Sequence, residues 1–469
     1  MNFITGADRD QPMLLPAMVE DYVDATAAVR VIDAFVDALN IAVLGFERSR
    51  PAATGRPGYD PRDMLRLYIY GYLNGLRSSR RLERACLINL ELLWLMRTRA
   101  PDYKTIADFR RDNGTGIVGA CRAFVQFCRQ TGLFAAAVAT IDGTKVRAAA
   151  SSKRVINKAA LEAETVALDS QIGDYLLAMD AADATEPDEA TARQTQEALK
   201  ALQVRRDELL SLARQMTEEE RELGVVGEPD ARPMGAGTGA KRPSYNVQIA
   251  VDPSSHIIVH HDVTTEATDN RQLYPMATAT KAVLGEDTLN VIADAGYANA
   301  TQAAACEAAG IVAAAPAPRR TNTKGDFYSA DLFLYDATSD SMTCPAGRKL
   351  LRNGSNERDQ EHRYRAEDCT GCPLKQSCTT APRRYVYRHV HHAAMERMTA
   401  RVKADKSLMK TRCSTVEHPF GTLKHYLGGR FLLRGRLKAA TETALAVLGY
   451  NLTRASKIIG RRELIERLA

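Results

Sequence analysis

Two short segments of this chain each run into an aspartate with a glycine close behind, and a distant glutamate completes the set. Phe134 to Ile141 leads into Asp142 and Gly143, and Asn290 to Ala293 leads into Asp294 and Gly296. Segments of this length and character read as short buried strands, and open α/β sheets present functional groups where such strands end. The glycines let backbone or ligand approach closely. Glu417, within STVEHPFGTLK, lies three residues after Ser414, the spacing of a capping box at a helix start. Pro419 would remove a backbone hydrogen bond from a helix starting there, so the helix is expected either to kink or to begin later.

Three carboxylates brought together repel one another and favour protonation unless cations neutralise them. Hard oxygen ligands with room for phosphates suit Mg²⁺ or Mn²⁺, and two such ions can activate one oxygen and stabilise the departing one in a phosphoryl displacement. Taken singly, each aspartate also reads as a turn former or helix cap, and Glu417 as the closing half of a box with Ser414.

Six dispersed segments add a resemblance. YGYLNGLRSSRRLERAC (Tyr70 to Cys86), PDYKTIADFRRDN (Pro101 to Asn113), YNVQIAVD (Tyr245 to Asp252), VIADAGYAN (Val291 to Asn299), VEHPFGTLK (Val416 to Lys424) and RGRLKAATETALAVLGYNLTR (Arg434 to Arg454) occur in this order. In these segments the chain resembles bacterial insertion-sequence transposases of the DDE class over nearly its whole length. The resemblance implies a ribonuclease H-like catalytic domain with Asp142, Asp294 and Glu417 as catalytic, Mg²⁺-binding carboxylates. It also implies phosphate contacts from Lys424, seven residues after Glu417, and from Arg412, five before it. Many relatives place a base-stacking tyrosine where Met409 stands, so that role does not carry over, nor does an inference of hairpin excision.

Charge distribution agrees. The chain of 469 residues has a net charge of only +6, but residues 381–440 hold fourteen Lys and Arg against three acids. A basic stripe around Glu417 suits a DNA backbone, the other reading being a solvated helix face. No run of eighteen apolar residues is present, and MNFITGADRDQP lacks a signal-peptide pattern, so a cytoplasmic protein without a membrane partner is expected. The nine cysteines then read as reduced thiols or metal ligands. Cys344, Cys369, Cys372 and Cys378 have the character of a structural Zn²⁺ site, with His389, His391 and His392 near enough in sequence to substitute for one limb; unligated thiols in a loop-rich insert, or an iron–sulfur cluster, are the other readings.

The expected fold is mixed α/β, a five-stranded central sheet with helices on both faces. Residues 1–130 are expected to form a helical DNA-binding region and 131–469 the catalytic domain, interrupted by a helical hairpin at 153–222 and a Cys-rich insertion at 325–385. Asp60 and Pro61 mark a helix start. Helix, polar turn and a basic helix carrying Arg77, Arg80, Arg81 and Arg84 are compatible with a helix-turn-helix on DNA, although surface arginines more often face water or pair with acids. Leu161, Leu168, Ile172, Tyr175, Leu176 and Met179, then Leu199, Leu202, Leu209, Leu212 and Met216, repeat at helical spacing as the apolar stripes of the hairpin, with a turn expected within Ala181 to Ala190. Gly224 to Pro243 reads as linker, and its GAGTGAK only superficially as a phosphate loop. Asp252 reads as a turn residue, Asp269 and Arg271 as caps of the next helix.

The expected activity is binding of double-stranded DNA at an element's terminal inverted repeats, followed by Mg²⁺-dependent cleavage and transfer into target DNA, by a homodimer. The alternatives are an inactive DNA-binding protein of the same fold and a nuclease without strand transfer.

Overall fold

A computed structural model describes residues 18–47, 58–134, 137–183, 189–235, 241–317 and 327–469. The turn expected within Ala181 to Ala190 and the GAGTGAK segment lie largely outside these residues. Six helices come first: α1 (Ala28–Ala38), α2 (Pro61–Leu73), α3 (Ser79–Ile88), α4 (Leu90–Leu95), α5 (Tyr103–Asp112) and α6 (Gly114–Gln130). Asp60 caps α2 by accepting from the Arg62 amide, with Pro61 in the first turn, as the sequence predicts. Nearly all of α2 is buried, including Arg66, which pairs with Asp33, Asp37 and Asp63 and so is not left as an isolated interior charge.

Strand β1 (Val138–Arg147) follows, then β2 (Val155–Asn157), the long helices α7 (Lys158–Asp183) and α8 (Glu189–Glu218), and β3 (Leu223–Val225), which pairs with β2. Leu161, Leu168, Leu209, Leu212, Met216 and Val226 form a separate small core at the base of this hairpin. Next come β4 (Arg232–Met234), β5 (Arg242–Val251), β6 (Ile258–Thr264), α9 (Leu273–Leu284), β7 (Leu289–Ile292), α10 (Ala300–Ala308) and β8 (Ile311–Ala314). The 224–243 stretch is therefore not simply linker. Within it β4 pairs with β5, and Glu228, only 1% exposed, accepts from the Ala150 amide and the Tyr245 hydroxyl.

The main sheet runs β6, β5, β1, β7, β8, with β4 pairing with the start of β5 as a sixth strand. β6, β5 and β1 are antiparallel neighbours, while β1, β7 and β8 are parallel. Strands β9 (Leu334–Asp336), β10 (Ser341–Thr343), β11 (Lys349–Asn356), β12 (Glu361–Ala366) and β13 (Tyr385–His389) form a second, antiparallel sheet around Phe333, Leu350, Tyr364 and Val386. The Cys-rich segment expected at 325–385, for which a loop-rich insert was the alternative reading, is strand-built. Helices α11 (His392–Ala404), α12 (Ser407–Tyr426), α13 (Arg436–Ile459) and α14 (Arg461–Leu468) finish the chain.

Helix α12 packs on β1 and β7, whereas α9 lies along β6, β5, β1 and β7. The apolar helix α13 packs on β6, α6 and α2, so one continuous core joins the N-terminal helices to the main sheet. No helix among the described residues is long and apolar enough to cross a membrane.

Candidate active site

Asp142 sits within β1, not at its end, but the neighbouring strand has already stopped. Pairing with β7 ends at Thr140, while Asp142 still pairs with Ile249 of β5. The loss of the β7 neighbour opens a notch at the sheet's carboxyl edge. Asp294 follows β7 directly and caps a 3-10 turn, Ala295–Tyr297, by accepting from the Gly296 amide at 2.8 Å. The two carboxylates thus meet across adjacent parallel strands.

One guanidinium joins them. Arg412 Nη2 lies 2.7 Å from Asp142 Oδ2 and 3.3 Å from Asp294 Oδ2. The Asp142 side chain is 14% exposed, and burial pushes its carboxyl up to about 6, against the opposing pull of Arg412 and of the Gly143 amide. Burial works against the charge of Arg412, but the two aspartates outweigh it and hold the guanidinium above its usual range. Two carboxylates thus share one cationic group.

Glu417 is not part of this contact. Helix α12 begins at Ser407, so Ser414 is mid-helix with its hydroxyl bonded to the Thr411 carbonyl, and the expected capping box does not form. Pro419 lies inside the helix. Glu417 is exposed, roughly 140° around the helix from Arg412 and about 7.5 Å along it. Among the described residues, no three His, Cys, Asp or Glu side chains stand close enough to hold a metal ion together.

The other singled-out residues divide into inward and outward groups. Arg77 turns inward, where its Nη1 donates to the Arg430 carbonyl at 3.0 Å and lies 3.6 Å from the buried Glu442. Arg80, Arg81 and Arg84 are exposed on α3, Arg80 lying over the Tyr103 ring, and Lys424 is exposed near the end of α12. Cys344, Cys369, Cys372 and Cys378 line one small cavity, and burial raises the Cys378 thiol. The nearby histidines turn elsewhere: His389 lies 3.3 Å from Thr301 Oγ1 and His392 lies 3.5 Å from Glu396.

Asp269 is the main surprise. Helix α9 has no side-chain cap, and Asp269 Oδ1 accepts from the side-chain amides of Asn246, at 2.8 Å, and Gln248, at 2.6 Å. Buried amides at alternate positions of a strand covered on both faces were the available signal, since such groups require partners.

Comparison with known families agrees with the sequence resemblance. Residues 17–112 match the family model described as Transposase domain (DUF772), and residues 343–456 match that of a Transposase DDE domain. No curated protein matches. Among solved structures, the piggyBac transposase synaptic complex with hairpin DNA aligns over 95% of this chain and 80% of that one, at 11% identity and a TM-score of 0.30. With a transposase domain at one end and a transposase DDE domain at the other, the chain belongs to the insertion-sequence transposases of the DDE class.

Proposed function

We propose that this transposase binds the terminal inverted repeats of its element and carries out Mg²⁺-dependent cleavage and strand transfer. Asp142, Asp294 and Glu417 are its carboxylates in this reading. The observation that carries it is the single guanidinium shared by Asp142 and Asp294. Two oxygen donors that share one cationic group are chemically suited to a divalent cation. The strand order, with three antiparallel neighbours followed by two parallel ones, supports a ribonuclease H-like domain.

Asp142 and Asp294 would hold Mg²⁺ or Mn²⁺, which when bound supplies Lewis-acid stabilisation of charge on phosphodiester oxygens and lowers the pKa of attacking water. Arg412, released from the carboxylates, then becomes a phosphate contact on the same helix as Lys424. Arg80, Arg81 and Arg84 on α3 offer an exposed basic face to the duplex, with helices α1–α6 as the DNA-binding region. The α7–α8 hairpin and the Cys-lined second sheet are insertions into the catalytic domain. Two element ends require two such sites, which a homodimer supplies.

Glu417 must move to join the pair. Its helix packs on both aspartate-bearing strands, and Pro419 removes a helix hydrogen bond just beyond it, giving α12 a weak point for such a shift. Glu417→Gln is expected to leave binding to end DNA intact and to abolish nicking in Mg²⁺. Loss of both in equal measure, by gel shift and nicking assay, would overturn the catalytic role. A second reading, a DNA-binding protein of the same fold without cleavage, is favoured by the exposed position of Glu417. It predicts no nicking by the wild-type chain on DNA carrying the cognate ends.

Among the described residues, no three of the four cysteines stand close enough to hold an ion together, but all four line one cavity, and a modest closure would give thiolates suited to a tetrahedral structural Zn²⁺. Purified protein is expected to contain about one zinc per chain, and Cys369→Ser to lose it together with stability. A zinc-free protein that unfolds no differently on chelation would remove the ion from the proposal.

A further inference from the structure

The glycine after Asp142 has a structural reason that points away from the ligand. A Cβ built at Gly143 would collide with Gln248 Nε2 and lie 2.5 Å from Asp269 Oδ1. Gly143 pairs with Gln248 across β1 and β5, and directly opposite residues of an antiparallel pair share a face. Consecutive residues point to opposite faces, so Asp142 projects to the α12 side while Gly143 leaves space for the Gln248 amide on the α9 side. Gln248 is fully buried and polar at both ends of its amide. Its Nε2 donates to Asp269, and its Oε1 accepts from the Tyr297 hydroxyl.

Tyr297 closes the 3-10 turn that Asp294 caps, and it is also fully buried. A continuous chain of hydrogen bonds therefore runs from the Asp294 turn through Tyr297 and Gln248 to Asp269, passing beneath the residue that follows Asp142. Asn246 donates a second amide to the same Asp269 oxygen. The other end of the carboxylate also borders the turn, with Asp269 Oδ2 at 3.8 Å from the Cβ position of Gly296 and Asp294 Oδ1 at 2.9 Å from it.

We infer that Asp269 is a positioning residue of the metal centre: by anchoring the amides of Gln248 and Asn246, it fixes the Asp294 turn against β1 and so sets the separation of the two aspartates. The inference rests on the proposed metal-binding role of Asp142 and Asp294. Asp269 touches neither the reacting DNA nor the cation and acts through Gln248 and Tyr297. Outer hydrogen-bond partners of this kind restrict ligand side chains to the geometry an ion requires.

The bonding pattern makes the test sharp. Both amides donate to the same oxygen of Asp269, so Asp269→Asn can keep both bonds through its carbonyl and lose only the charge. Asp269→Ala loses both. In the full-length protein without DNA, Mn²⁺ uptake followed by the loss of its free electron-paramagnetic-resonance signal is expected to weaken about ten-fold or more in Asp269→Ala. The asparagine variant is expected to restore affinity to within about three-fold of wild type. On end DNA, kcat for nicking is expected to fall in the alanine variant while KM stays unchanged. Should Asp269→Ala fail to fold, Tyr297→Phe removes one bond of the same chain and is expected to weaken Mn²⁺ uptake in the same direction.

Wild-type Mn²⁺ affinity in Asp269→Ala, or in Tyr297→Phe where that variant stands in, overturns the inference. So does an asparagine variant as weak as the alanine one, because the charge, not the bonding, would then be what matters. Asp294→Asn separates this failure from that of the underlying reading. If it takes up Mn²⁺ as wild type does, the metal centre itself is misassigned, whatever Asp269 does.

Discussion

Asp142→Asn is expected to abolish DNA cleavage and, in the same molecule, to stabilise the metal-free protein. Cleavage should fall by roughly a thousand-fold or more, because the most buried oxygen donor of the pair is lost. The stability effect follows from burial. The folded protein holds the Asp142 carboxyl at about 6, above its ordinary 3.8. A carboxyl raised on folding favours the native state fully below its unfolded pKa, and that advantage disappears as pH rises through the folded value. Wild type therefore loses stability across about pH 4 to 6, by roughly 3 kcal/mol at most, and asparagine does not. Arg412 keeps Asp294 as a partner in the variant. Thermal unfolding in chelator should show the variant melting above wild type at pH 8, with the difference vanishing near pH 4. A variant that melts below wild type at pH 8 would mean that the Asp142–Arg412 pair outweighs the cost of burial. The combination of lost activity and gained stability is what a site whose two carboxylates are only partly compensated by one guanidinium should give.

How legible this was from sequence depends on the range of the interactions. The pairing of the two aspartates was partly legible: Asp294 does follow a short buried strand, a local pattern that survives in a linear string, whereas Asp142 lies inside β1, which runs on to Arg147. The cap at Asp60 was readable for the same reason. Glu417 shows the limit. Its spacing from Ser414 fits a capping box, yet the helix starts seven residues earlier, at Ser407, and the box spacing is coincidental. Pro419 argued for a kink or a later start, but α12 runs from Ser407 to Tyr426 with the buried proline inside it. The resemblance implied a phosphate contact for Arg412, and nothing in its neighbourhood names Asp142, 270 positions away, as its partner in the DNA-free protein. Asp269 failed similarly: an acid just before a helix reads as a cap, and only the pairing of β1 with β5 reveals that two amides converge on it. The second sheet escaped notice because its strands are short and it gathers only a small apolar core.

A comparably large effect is expected far from the carboxylates, at Glu442. This side chain is fully buried in α13, where it accepts from the Leu432 amide at 2.9 Å, the Leu433 amide at 2.7 Å and the Tyr72 hydroxyl at 3.3 Å, beside Arg77. Burial raises its carboxyl, opposed by the charges of Arg110 and Arg77 and by the two amides. Three parts of the chain meet at this one group: the turn between α2 and α3, helix α13, and the strand-like segment that returns from α12. Arg77 binds that segment again through the Arg430 carbonyl, and Arg430 itself bridges to Arg147 at the end of β1. Glu442→Ala leaves two part-buried amides and the Tyr72 hydroxyl without an acceptor, and Arg77 and the buried Arg110 short of a counter-charge, so a loss of about 3–5 kcal/mol is expected. Glu442→Gln can keep the amide bonds through its carbonyl and should cost less than half as much, the remainder being the charge. Urea unfolding at pH 7 checks both. Equal losses would assign the whole effect to the ion pairs, and near-wild-type stability in the alanine variant would show that the joint can reorganise around water. Because the same group ties α12's exit to the N-terminal helices, the glutamine variant is also the cleaner probe of whether this joint transmits DNA engagement at α3 to the helix that carries Glu417: cleavage falling further than end binding in a protein that remains folded is the expected result.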